Sequence, residues 1–371
     1  MLELIRPDWT GRLQNVSLAA AGLAIDALVV STPANLRYLT GFDGSSGLLI
    51  RTQTTSRLLV DGRYEGAVRT AQASGRVAEA EVAVVQGGFH AALATALAGL
   101  EAQRVGFEAG YVTVSGLEQW RRSAPDVEWV STEGIVERLR LVKDRTEVAL
   151  LRRGGKLISA VAGELRQLVR PGRTEREIAQ GIDIAIGRAG FSAPAFPTIV
   201  ASGPNSAHPH ARPTSRRLTA GDLVVLDFGG VLDGYCVDLT RMAAVGAPSA
   251  QARALFDAVH EAQRQAVSVI RPGLAASDVD AAARAVLEAR GLGSAFVHAT
   301  GHGLGLDVHE APRIGRIGDQ ASEVLEAGMV FTVEPGAYVE GVAGVRLEDD
   351  MLVVEGGVES LTDAPRELLI T

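Results

Sequence analysis

The chain has 371 residues, 47% hydrophobic and 22% charged, with 44 Asp and Glu against 36 Lys and Arg and a net charge of −8. That length and composition predict a soluble globular protein of two domains. The acidic balance argues against nucleic acid as a partner, and a single cysteine, Cys236, excludes an internal disulfide and fits a reducing compartment.

The opening segment MLELIRPDWTGRLQ is polar and acidic where a signal peptide needs an apolar run. Residues 17–31 are apolar, but Asp26 interrupts them and the stretch is too short to span a bilayer. A cytoplasmic protein with no membrane contact is expected. Apolar, β-rich runs follow at 27–30, 47–50, 58–60, 82–85 and 105–107, with helical patterns between them, for example at 65–73 and 91–100. This alternation predicts an α/β domain over residues 1–138. The charged, helix-prone stretch 136–153 (VERLRLVKDRTEVALLRR) marks the boundary, and a second domain is predicted over 139–371.

The second part carries an internal repeat. VRPGRTEREIAQGIDIAIGRAGF begins at Val169 and IRPGLAASDVDAAARAVLEARGLG at Ile270, so a shift of 101 residues aligns Pro171 with Pro272 and Gly190 with Gly291. Each Arg-Pro-Gly punctuates a helix end, and each closing glycine suits a position that needs positive φ. A strand-rich block follows each copy. The reading is two related α/β halves with a site between them.

Four blocks in the strand-rich segments hold the chemistry: LVVLDFGGVLDGYCVDLTR, ATGHGLGLDVHEAP, FTVEPGAY and GVRLEDD. The first reads as a hairpin whose Asp-Gly turn places Asp227 and Asp238 opposite, or nearly opposite, on paired strands. Two carboxylates so placed repel, and a divalent cation converts the repulsion into attraction. His302 sits between glycines, and His298, His302 and His309 fall within a dozen residues in a chain of seven histidines. Glu334 ends an apolar strand, MVFTV, and Glu348 lies in a strand read as VRLEDDMLVV. An ionised glutamate there is costly unless paired or metal-bound. Four carboxylates and one imidazole suit two divalent metal ions, which makes hydrolysis the leading activity. Cys236 has no cationic neighbour in sequence and reads as a buried structural thiol.

These blocks, together with PTIVASGPNSAHPHARP and the N-terminal PANLRYLTGFDGSSG and VDGRYEGAV, resemble the pita-bread metallopeptidases, specifically the proline-specific branch of Xaa-Pro aminopeptidases and prolidases. The resemblance covers nearly the whole chain, in the family's order, with the family's 11-residue step between the two aspartates. It implies a creatinase-like N-terminal α/β domain followed by a pita-bread catalytic domain with an internal pseudo-two-fold duplication. It implies that Asp227, Asp238, His302, Glu334 and Glu348 hold two divalent ions, manganese being favoured and cobalt or zinc admissible, with Asp238 and Glu348 bridging. Glu334 is also the implied proton acceptor from the attacking water. His210 and His309 match histidines that position substrate and stabilise the tetrahedral intermediate, and His298 matches one near the leaving group. Arg346 matches an arginine two residues before the bridging glutamate and is expected among the substrate-binding residues. By spacing, His210 rather than His208 is the matching histidine.

The expected activity is an Xaa-Pro aminopeptidase acting on short proline-containing peptides, with an Xaa-Pro dipeptidase as the alternative. Arg313, four residues after His309, is placed to pair with the C-terminal carboxylate of a dipeptide. The resemblance also implies a homodimer, with Tyr38, Arg63 and Tyr64 as rim residues. A binding protein that has lost its metals, a methionine aminopeptidase and a creatinase-type hydrolase are the remaining readings. The intact ligand set argues against the first and third, and the long N-terminal unit against the second.

Overall fold

The computed structural model describes residues 7–316 and 322–371. The chain divides into two compact units, Met1–Arg140 and Leu141–Thr371.

The first unit is an α/β sandwich. Its helices are α1 (Trp9–Ala21), α2 (Pro33–Thr40), α3 (Glu65–Ala73), α4 (Phe89–Gly99), α5 (Val114–Ser123) and α6 (Ile135–Leu141). Its strands are β1 (Ala27–Val30), β2 (Gly47–Arg51), β3 (Ser56–Asp61), β4 (Glu81–Val85), β5 (Arg104–Glu108) and β6 (Glu128–Thr132), in the sheet order β4-β3-β2-β1-β5-β6. All four residues of β1 are buried, as an apolar run covered on both faces should be. The pattern of apolar runs shows five of the six strands. The sixth, EWVST at the sheet edge, has only one buried position, so its sequence has no run to show.

The helix-prone stretch 136–153 is two helices. α6 ends at Leu141, and α7 (Arg145–Gly163) begins behind a capping box at Asp144. The Asp144 carboxylate accepts from the Thr146 and Glu147 amides at 2.8 and 3.0 Å, and Glu147 accepts from the Asp144 amide at 3.0 Å. The sequence DRTE is that cap's signature. α8 (Leu165–Leu168) and α9 (Glu175–Arg188) follow, then β7 (Ala193–Pro194), β8 (Ile199–Ser202), β9 (Leu223–Leu232) and β10 (Tyr235–Ala244). The next segment repeats the plan with α10 (Ala250–Val269), α11 (Ala276–Ala289), β11 (Gly301–Gly303), β12 (Glu310–Ile314) and β13 (Val330–Val333). It closes with β14 (Gly336–Val339), β15 (Ala343–Arg346), β16 (Asp349–Val354), β17 (Gly357–Ser360) and β18 (Leu369–Ile370).

The duplication is visible in the backbone. α9 and α11 are each 14 residues long. The glycines that precede them, Gly172 and Gly273, take φ of 81° and 84°. The residues before their first turns, Thr174 and Ala275, each form an antiparallel bridge to a later segment, at Arg217 and Val324.

β9 and β10 form a long antiparallel hairpin, and period-two alternation assigns its faces. Val224, Leu226 and Phe228, with Val237 and Leu239 across from them, pack into the core beneath α7 and α9. Leu223 and Val225, with Met242 and Ala244, face the core built on α10 and α11. Asp227, Asp238 and Thr240 continue that second face, which is how a strand buried on both sides comes to present carboxylates to the interior. The hairpin register differs from the one expected. Leu232 pairs with Tyr235 across Asp233 and Gly234, whose φ values of 48° and 85° make a two-residue turn with both central residues left-handed. This sets Asp227 opposite Thr240 and Asp238 opposite Gly229, so the aspartates are diagonal neighbours, two residues out of register. The turn residues fix the pairing, and the midpoint between the aspartates does not.

Candidate metal centre

All ten residues proposed from sequence for the site line one cavity of about 620 Å³: His210, Asp227, Asp238, His298, His302, His309, Arg313, Glu334, Arg346 and Glu348. His208 is absent from its lining, and His210 is present. The cavity wall is otherwise largely apolar, with Phe196, Pro197, Ile199, Pro213 and Val308.

Among the described residues, potential ligand atoms of Asp238, His302 and Glu348 lie within 4.8 Å of one another. Glu334 is beside them, its Oε1 at 3.5 Å from His302 Nε2. Its backbone amide is fixed by the Thr300 carbonyl at 2.7 Å. Asp227 is outside that triple, and its Oδ2 accepts from Arg346 Nη2. Glu348 is not inside one strand, as the sequence suggested. It sits in the break between β15 and β16, where its amide bonds to the Thr240 carbonyl at 3.3 Å. The Thr240 hydroxyl donates to its Oε2 at 2.6 Å. Glu348 enters the cavity, while Asp349 turns to the buried Arg241, 2.7 Å from its Oδ1.

The imidazoles have defined tautomers. His302 Nδ1–H donates to the Gly303 carbonyl at 3.0 Å, which leaves the Nε2 lone pair facing the Glu334 carboxylate. His298 Nδ1–H likewise donates to the Ala299 carbonyl at 2.7 Å. Its Nε2 therefore accepts from the Tyr338 hydroxyl at 3.0 Å, and the same hydroxyl accepts from Arg346 Nη1 at 2.7 Å. Burial pulls both histidines down to about 4, so each is neutral at neutral pH, the state in which an imidazole can bind a metal.

The carboxylates move the other way. Burial, then the charges of Glu348 and Asp227, holds the Asp238 carboxyl well above the usual range. Glu348 is raised by burial and by Glu334 and Asp227. Glu334 is pushed up to about 7 by burial, with Arg346 and Asp227 acting in opposite directions. Four carboxylates share this site with one engaged guanidinium, and a lone pair points at one of them. Asp238 Oδ1 is buried with no hydrogen-bond partner among the described residues. Each of these features is unfavourable alone and is relieved by divalent cations between the ligands, so the residues fit the metals the sequence implies.

The sequence matches the metallopeptidase family M24 pattern over residues 149–355 and the creatinase/prolidase N-terminal domain over residues 12–142. This chain belongs to metallopeptidase family M24. Over 348 residues it is 30% identical to an Xaa-Pro dipeptidase of Pyrococcus horikoshii, covering 93% of this chain and 95% of the relative. Among solved structures, an Xaa-Pro dipeptidase from Bacillus anthracis superposes with a TM-score of 0.93 at 34% identity, over 98% of this chain and all of the other. An X-Pro aminopeptidase from Thermotoga maritima gives 0.87 at 31% identity, over 95% and 100%. The two units are thus a creatinase-like N-terminal domain and the pita-bread catalytic domain of the M24 family. No described helix is long and apolar enough to cross a membrane.

Inside this M24 domain the structure shows partners that pattern reading missed. Thr240 and Tyr338 lie within the motif blocks, but a hydroxyl gives no sequence signal of its own. Arg346, which lines the cavity, is 4% exposed and donates to Asp227, Tyr338 and the Pro209 carbonyl. Cys236 is buried on β10, in accord with the structural reading.

Proposed function

We propose that this M24 peptidase is an Xaa-Pro dipeptidase whose site residues act as follows. The observation that carries the choice is Arg313. It extends from β12 beside His302, is exposed, and lines the cavity with no hydrogen-bond or ion-pair partner among the described residues. A fork of unengaged donors at that rim suits the C-terminal carboxylate of a dipeptide, held bidentately. The expectation of an aminopeptidase gives way here because relatives described as Xaa-Pro dipeptidases match the chain over nearly its full length. The aminopeptidase from Thermotoga maritima keeps the first reading as the runner-up.

Asp227, Asp238, His302, Glu334 and Glu348 would hold two divalent cations, manganese suiting an oxygen-rich set with one imidazole, and these would supply Lewis acidity toward the peptide carbonyl and acidify water. Glu334 accepts the proton of the attacking water on its carboxylate and passes it to the proline nitrogen as the C–N bond breaks. His210 and His309 hold the developing oxyanion, and His298 faces the departing proline nitrogen. That nitrogen belongs to a tertiary amide with no N–H, so recognition relies on shape. The apolar wall of Phe196, Pro197, Ile199, Pro213 and Val308 offers the surface for the pyrrolidine ring.

The test is hydrolysis of Ala-Pro against Ala-Pro-Ala by metal-stripped protein with manganese, cobalt or zinc restored. Metal-dependent cleavage of the dipeptide supports the reading. Preference for the tripeptide returns the assignment to an aminopeptidase, and no cleavage of either refutes the substrate class.

A further inference from the structure

Arg284 and Asp280 lie on α11, outside the ligand set, and together they hold the segment that carries His298. The two form a buried ion pair, Nε to Oδ2 at 2.5 Å and Nη2 to Oδ1 at 3.1 Å, with side-chain exposures of 11% and 2%. Neither residue spends its remaining capacity on its own helix. Arg284 Nη2 donates to the His298 carbonyl at 2.6 Å and Nη1 to the Phe296 carbonyl at 3.1 Å. The guanidinium also lies 4.2 Å from the centre of the Phe296 ring, whose edge meets the His298 imidazole at 5.2 Å between centroids. Asp280 Oδ1 accepts from the Thr300 amide at 3.1 Å and from its hydroxyl at 2.8 Å.

Residues 296–300 are thus fixed at three successive alternate positions by one ion pair. Phe296 to Thr300 belongs to no helix or strand, so no ladder supports it. On the other side of the segment, the Thr300 carbonyl receives the Glu334 amide. The imidazole of His298 has one side-chain hydrogen-bond partner among the described residues, Tyr338, and one backbone partner in its own loop. Its position in the cavity therefore depends on where the backbone of this loop is held.

We propose that Arg284, oriented by Asp280, is a positioning residue for His298. It sets the loop so that the imidazole faces the cavity at a fixed height, and its effect on catalysis passes through that ring. A guanidinium is required, because three acceptors in different directions must be met by one planar fork. Lysine keeps the charge and the pair with Asp280 but cannot reach both carbonyls. The inference rests on the proposed peptidase reading for its kinetic consequence and on the geometry alone for its structural one.

A double-mutant cycle on the full-length, manganese-loaded protein tests it. Arg284→Lys is compared in the wild-type and His298→Ala backgrounds, with metal content and thermal midpoint measured for each protein. A residue acting through His298 lowers kcat/KM on Ala-Pro by about tenfold or more in the wild type and by less than about twofold once His298 is gone. Equal losses in both backgrounds, or no loss in the wild type, overturn the proposal. If Arg284→Lys does not fold, Asp280→Asn takes its place in the same cycle. If wild-type protein cleaves no Xaa-Pro peptide, the function is wrong and the positioning claim is read by nitrogen NMR of histidine-labelled protein. The ring signals absent from His298→Gln must then shift on Arg284→Lys, and unmoved signals refute it.

Discussion

Replacing Glu334 with glutamine should stabilise the metal-free protein while destroying its response to metal. Glu334 is pushed up to about 7 from an ordinary value of 4.5, with burial the largest cause. The unfolded chain releases this proton near 4.5, whereas the folded, metal-free chain keeps it until about 7. Between those values the native state binds more protons, so stability falls as pH rises through the window. At about 1.36 kcal/mol per pH unit, a rise of this size corresponds to about 3 kcal/mol. The Glu334 side chain is 17% exposed, and solvent takes part of this, so about 2–3 kcal/mol is expected. Glutamine has no charge to desolvate. Urea unfolding of chelator-treated proteins should give similar midpoints at pH 4.5 and a higher midpoint for Glu334→Gln at pH 8. Adding manganese should raise the wild type strongly and the variant little. A variant that is no more stable than wild type at pH 8, or whose advantage is the same at both pH values, would refute the argument from buried charge.

Arg313→Ala should lower kcat/KM for Ala-Pro by about tenfold to a hundredfold, the cost of a charged hydrogen-bonded pair, and leave Ala-Pro-Ala little changed; equal losses on the two substrates in a steady-state assay would remove Arg313 from carboxylate binding. Glu175 is fully buried at the start of α9 and accepts from Ser202, Asn205 and Thr214. Burial alone would raise its carboxyl, but the bonds from Thr214 and Ser202 outweigh burial and hold it below 4.5. Its contribution is therefore complete above 4.5 and is lost as pH falls through the lower folded value. Glu175→Ala should cost about 3 kcal/mol or more at pH 7 by urea titration, and the difference should shrink below pH 4. Gly301→Ala places a Cβ against the Thr332 carbonyl oxygen, a backbone atom that cannot step aside. We expect reduced metal content by elemental analysis even where the variant stays folded.

Much of the site was legible in the sequence because its chemistry resides in residue types that are rare in apolar strands. Asp227, Asp238, Glu334 and Glu348 interrupt buried runs, and a charge there needs a partner. The repeat beginning at Val169 and Ile270 was legible for a related reason. Arg-Pro-Gly and a closing glycine are local backbone requirements, and both copies took the same conformation. One expectation failed because a pattern was treated as continuous. The stretch read as VRLEDDMLVV has one strand composition but breaks at Glu348, where the backbone bonds to Thr240 instead of a ladder neighbour.

The sequence by itself determined the hydrolytic metal chemistry and the candidate ligands, since donor type and local spacing are properties of the chain. Tertiary structure decided which of those donors meet. It brought Arg346 to Asp227. It left Arg313 exposed at the cavity, and it placed the Asp280–Arg284 pair behind His298. These are contacts between residues far apart in the chain. Their formation depends on how helices and sheets pack, which no local pattern encodes.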